Sequence, residues 1–132
     1  MRLSLILISA ATIAGTAFAA TANEADRRAA MKQAGGAAKA ISGGNDVAAN
    51  AQLMADIAAR IPALFEANEI SSTSKARPEI WANWADFTAK AQGLEAAAQA
   101  VLAAANSGGD VAGAARAMGG ACGACHKSYK LN

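Results

Sequence analysis

The chain has 132 residues, with 12 Lys or Arg against 10 Asp or Glu and a formal charge of +2. That length is one domain's worth, and a charge so near neutral does not suggest a nucleic-acid binder, which would need a basic stripe. The sequence is 54% apolar but only 5% aromatic, with 2 Pro and many Ala, which fits neither disorder nor a β-sandwich and predicts a thin, helical core.

Arg2 is followed by an apolar run beginning at Leu3 and by small residues ending in Ala17-Phe18-Ala19. A basic start, a short apolar stretch and an A-x-A end describe a secretory signal peptide at residues 1–19, cleaved after Ala19, or alternatively after Ala22. The competing reading is a membrane anchor. The stretch from Leu3 to Ala20 is short for a span and carries Ser4, Ser9, Thr12, Gly15 and Thr16. Export would leave residues 20–132 as a single domain in a bacterial periplasm.

Four helices follow. Thr21 and Glu24 have capping-box spacing, and a first helix is predicted from Ala22 to Ile41, stopped by Ser42-Gly43-Gly44-Asn45. Asp46 caps a second, with Val47, Met54, Ile57, Ile61 and Leu64 on one side and Pro62 kinking or trimming its end. Residues 66–77 are polar and read as the longest loop. Pro78 suits the first turn of a third helix. There Ile80, Trp84, Phe87, Ala91, Leu94, Ala98 and Val101 alternate steps of four and three, the spacing of a seam between near-parallel helices. After Asn106-Ser107-Gly108-Gly109, Asp110 caps a fourth helix with Val111, Ala115, Met118, Cys122, Cys125 and Tyr129 in the same register. The fold class is all-α, an antiparallel up-down-up-down four-helix bundle.

The chain has 2 Cys and 1 His, and all three lie in Cys122-Gly123-Ala124-Cys125-His126. C-x-x-C-H is the attachment pattern of a c-type haem. Two thiols three apart on a helix can each add to one vinyl group of the same porphyrin. The adjacent imidazole can then ligate the iron. A structural zinc site normally needs four Cys or His ligands, more than the chain has. A thioredoxin-like pair expects a βαβ setting, and a plain disulfide leaves His126 unexplained. A sixth iron ligand would have to come from a different helix. Met118 shares a helix with His126, which leaves Met31 and Met54, each otherwise core filler.

The run Gly120 to Lys130, the segment Ala76-Arg77-Pro78-Glu79-Ile80-Trp81 and the start Arg27-Arg28-Ala29-Ala30-Met31 resemble the cytochrome c′ family. That family includes six-coordinate, c556-like members. The resemblance covers essentially all of residues 20–132. It implies one covalent haem c on Cys122 and Cys125, with His126 as proximal iron ligand. It places Met31 on the distal side, and Arg27 and Arg28 in the region of the haem propionates. Many members have Gln where Arg28 stands here. Because residues four apart share a helix face, Arg27 and Met31 can address one haem. Arg27's alternative is a solvated surface charge. Trp84, Phe87 and Tyr129 are candidate pocket walls or ordinary core, and Lys130 borders the proximal face or the helix C-terminus. The resemblance also implies a homodimer through the first two helices. The redox partner is not legible.

Two functions follow. With Met31 bound, the iron is six-coordinate and suited to electron transfer. With Met31 only as a distal wall, the sixth position takes a small neutral gas such as nitric oxide or carbon monoxide. Peroxidase turnover is disfavoured, because the only His is committed to iron.

Overall fold

The computed structural model describes residues 22–132; the expected signal segment, residues 1–19, lies outside the described residues. Five helical segments follow: α1 (Glu24–Ser42), α2 (Val47–Leu64), α3 (Glu79–Ala82), α4 (Trp84–Ser107) and α5 (Val111–Tyr129). The four long ones make the bundle, and α3 is a single turn leading into α4.

The cap of α1 is Asn23, with Asp26 as its partner, two residues past the predicted Thr21 and Glu24. Its side chain accepts from the backbone N–H of Ala25 at 2.8 Å and of Asp26 at 3.1 Å, while Asp26 accepts from the N–H of Asn23 at 2.9 Å. Asn is among the strongest caps, and an acid at the third helical position closes the reciprocal box. Gly44 then takes a φ of 73° and Asp46 a φ of 43°, so the link to α2 turns through two left-handed residues. Pro62 sits in the last turn of α2, and Phe65 N–H donates to Pro62 O at 3.0 Å, a tight closing turn. The helix predicted from Pro78 onward breaks at Asn83, with φ −121° and ψ 45°. Just before the break Trp81 donates its indole N–H to Phe65 O at 2.7 Å, and the seam continues through α4.

Adjacent long helices pack pairwise, α1 on α2, α2 on α4 and α4 on α5, whereas α1 meets α5 along a short strip only. Within the seam read from sequence, Ile80, Phe87, Ala91, Leu94, Ala98 and Val101 are buried and Trp84 is half-buried. They share one cluster with Met54 and Met118, which have almost no exposure.

Gly35 and Gly36 lie inside α1 with nothing within 4 Å of an added Cβ. A helix-interior Gly costs roughly 1 kcal/mol against Ala. Each of Gly35→Ala and Gly36→Ala is therefore expected to stabilise the bundle by up to about 1 kcal/mol in denaturant unfolding.

Candidate functional site

The site is carried by the last two turns of α5. Asp110 starts that helix by accepting from Gly113 N–H at 2.8 Å. The four-and-three register then turns Met118 and Tyr129 into the core, with Cys122 and Cys125 at its edge, half-buried and free. Burial pushes both thiols up in pKa. At Cys125 the nearby Lys90 opposes that rise, while Cys122 and Asp86 add to it. His126 is exposed at the helix end. Desolvation, then the charge of Lys130, holds its imidazole below the usual pKa, so the ring is neutral with a lone pair available. Beside it lies a shallow hollow lined by Gly123, His126, Lys127, Lys130, Leu131 and Asn132.

The loop between α2 and α3 closes this end of the bundle. Residues 75–77 run antiparallel to 129–131: Arg77 N–H donates to Tyr129 O at 3.0 Å and Leu131 N–H to Lys75 O at 2.8 Å. Arg27 reaches the same loop from α1. It is only 3% exposed. Its guanidinium donates to Leu64 O and Glu69 O, each at 2.7 Å, and to Ala67 O. It also stands 4.9 Å from the ring centre of Phe65 and 5.7 Å from that of Trp81. Arg27 is thus a loop anchor rather than a solvated charge. Arg28 points outward, paired with Glu24 and donating to Thr73 Oγ1 at 2.7 Å.

The three aromatic wall candidates meet around Phe87, which lies 5.5 Å from Trp84 and 5.3 Å from Tyr129 between ring centres. Phe65 joins them at 5.2 Å. Tyr129 OH donates to Asp86 Oδ2, and Lys90 pairs with the other oxygen of that carboxylate at 3.1 Å. The Asp86–Lys90 spacing is readable as a helical pair; the Tyr129–Asp86 bond spans 43 positions and has no sequence signal. Burial, then Asp86, pushes the Tyr129 phenol up to about 12. A pKa raised on folding contributes stability that is complete below the unfolded value of about 10 and is lost as pH climbs through the folded one. Tyr129 is the only Tyr. Tyrosinate absorbance should therefore appear late, near pH 12, and Tyr129→Phe should remove that component of alkaline unfolding.

Met54 and Met118 are buried in the core, while Met31 is half-buried and packs on its edge. Arg27 and Tyr129 reach the same loop, so the start of α1 and the end of α5 share one end of the bundle. By helical rise, Met31 lies about 10 Å into α1 and Cys122 about 10 Å back from the end of α5. The methionine and the cysteines therefore stand at one level.

Among the described residues, no group of three or more His, Cys, Asp or Glu could hold a metal ion unaided. A lone imidazole beside two thiols suits an iron that brings its own four nitrogens. The residues present fit a covalent haem: two half-buried thiols three apart, a neutral imidazole next to them, and a helix edge, α1–α5, that is the least closely packed of the bundle.

The pattern that defines the family described as Cytochrome C′ matches residues 22–130. The chain is 41% identical to a cytochrome c-556 of Agrobacterium fabrum over 89% of its own length and 86% of that protein. It is 34% identical to a cytochrome c-556 of Agrobacterium tumefaciens, covering 80% and 91%. Among solved structures it resembles the cytochrome c′ of Rhodopseudomonas palustris with a TM-score of 0.70 at 28% identity, covering 82% of this chain and 94% of the other. The cytochrome c′ of Thermochromatium tepidum gives 0.66 at 29%, covering 80% and 92%.

Proposed function

From the premise that this chain belongs to the cytochrome c′ family and carries covalently bound haem c with its iron, we propose that it is a periplasmic electron carrier. Cys122 and Cys125 would hold the haem, and His126 nitrogen and Met31 sulfur would bind its iron. The place of Met31 carries this reading: it is half-buried, lies on the helix bordering α5, and stands level with the cysteines. Two relatives of high coverage are named cytochrome c-556, and the family resemblance implies that c556-like members are six-coordinate.

The bound haem supplies one-electron chemistry at its iron. The chain's part is to fix it. Two thioether bonds on one helix hold it against loss, and the neutral His126 offers a nitrogen without a proton to displace. With the Met31 sulfur and the His126 nitrogen as its ligands, the iron would have a raised reduction potential. The segment at residues 1–19 directs export, and no described helix is long and apolar enough to cross a membrane.

Absorption spectra of the ferric protein, and of the ferrous protein with and without carbon monoxide, test this. A low-spin wild type that resists carbon monoxide is expected, and Met31→Ala should turn it high-spin and open to that ligand. A high-spin wild type that takes up carbon monoxide readily would replace this reading with gas binding. A low-spin Met31→Ala variant would move the sixth ligand elsewhere.

A further inference from the structure

Tyr129 is the only Tyr of the chain and is 5% exposed, and neither haem attachment nor iron ligation uses it. It follows Cys125 by four positions, and residues four apart share a helix face, so the phenol side chain stands one turn from the thiol side chain. Its O–H donates to Asp86 Oδ2. That bond, then the Lys90 ammonium at 3.1 Å from the other oxygen, holds the Asp86 carboxyl below its usual pKa. An ionised carboxylate is an acceptor with room for a proton. The Asp86 side chain is 55% exposed, so the phenol lies in the core while its acceptor reaches water.

This arrangement has a use beyond stability. A phenol that loses an electron becomes a very strong acid, and a bare positive charge in an apolar core is costly. A carboxylate already bonded to the O–H removes that obstacle by taking the proton in the same step. The ring's aromatic neighbour at 5.3 Å is Phe87, which is too hard to oxidise to compete. We propose that Tyr129 is a redox-active residue that returns an electron to the haem after a peroxide has oxidised it beyond the ferric state, with Asp86 as the proton acceptor. Hydrogen peroxide breaks its O–O bond, takes two electrons from the ferric haem and two protons from solvent, and leaves as two waters. Tyr129 then gives one electron back to the haem. Its O–H bond breaks, an O–H bond forms on Asp86 Oδ2, and a neutral phenoxyl radical remains. A two-electron reductant of the ascorbate class restores both centres, one electron to the haem and one to the radical, which recovers its proton from Asp86. The two protons that reductant releases balance the two that peroxide consumed. Fast peroxidase turnover is not required, because the relay serves occasional oxidation and spares the porphyrin. The proposal goes beyond the electron-carrier reading and needs only the bound haem, whether Met31 binds the iron or walls the pocket.

The test mixes ferric holoprotein with excess hydrogen peroxide and freezes samples for electron paramagnetic resonance. A phenoxyl signal is expected, and its formation should be slower in heavy water. Because the chain has a single Tyr, protein grown on ring-deuterated tyrosine should show that signal narrowed, with no substitution made. Tyr129→Phe should lose the signal, and its haem should bleach faster than that of wild type. Asp86→Asn keeps a hydrogen-bond acceptor but not a proton acceptor. It should form the radical about tenfold more slowly or worse, as loss of a positioned base does. No phenoxyl signal, or a signal that ring deuteration leaves unchanged, would overturn the proposal. So would equal radical formation in Asp86→Asn and wild type, or equal bleaching in Tyr129→Phe and wild type, which is what a purely structural hydrogen bond predicts. The carbon monoxide spectra that decide the electron-carrier reading are recorded without peroxide, so the two failures are told apart.

Discussion

A chain bearing Cys122→Ala and Cys125→Ala is expected to be purified colourless, with the mass of bare polypeptide, and to melt well below the parent. The physical reason lies in what the protein-only core contains. Its fully buried side chains of any size are Met54, Ile57, Ile80, Met118 and Val101, and much of the rest is Ala. Alanine buries little area, so a large apolar group fixed at the α1–α5 edge adds a substantial share of the packing. A group bound only by the folded state stabilises it by about 4 kcal/mol when present at a thousandfold over its dissociation constant. Covalent attachment raises the effective concentration further. At roughly 4 °C or more per kcal/mol for a domain of about 100 residues, the melting temperature should fall by 15 °C or more. Circular dichroism melting and mass spectrometry check both halves. An unchanged mass difference and melting point would show that the two thiols hold nothing.

The second large effect is expected at Arg27. Removing its guanidinium leaves the carbonyls of Leu64, Ala67 and Glu69 without their donor, and Phe65 and Trp81 without their cation. Hydrogen bonds from a charged donor contribute about 1.5–3 kcal/mol each when measured singly, but the three share one side chain and will not add. Arg27→Ala should cost about 3 kcal/mol in urea unfolding, and Arg27→Lys somewhat less, because a single ammonium cannot reproduce the planar fork. Arg28→Ala is the contrasting case. Its side chain is 56% exposed, and the pair with Glu24 is of the helical surface kind. Its loss should change stability by no more than about 0.5 kcal/mol. Two adjacent arginines, indistinguishable by composition, should thus differ several-fold in consequence.

That contrast also shows where sequence reasoning ends. Periodicity gave the bundle, because apolar side chains at steps of four and three must share a face whatever they pack against. The α4 seam from Phe87 to Val101 is buried as read. The C-x-x-C-H segment is local, and its helical placement follows from the same register. Bonds between distant segments were not legible. Nothing in Arg27-Arg28 says which guanidinium turns inward; that depends on three carbonyls some forty positions later. The family resemblance placed Arg27 near the propionates, and the structure adds that it grips the loop over this end of the bundle. The helix break at Asn83 was also unreadable. Trp81 on one side of it donates to Phe65 O, and Asp86 on the other accepts from Tyr129, partners far away in the chain.

The short antiparallel tie between residues 75–77 and 129–131 has a consequence for speed. An electron moves quickly when the nuclei around it scarcely shift between the two oxidation states. Main-chain bonds at Arg77 and Leu131, with the phenol–carboxylate bond of Tyr129 between them, clamp the helix end three residues beyond His126. In the electron-carrier reading proposed above, an imidazole mounted on that bracket would have little room to recoil, and the reorganisation left to the protein would be correspondingly small.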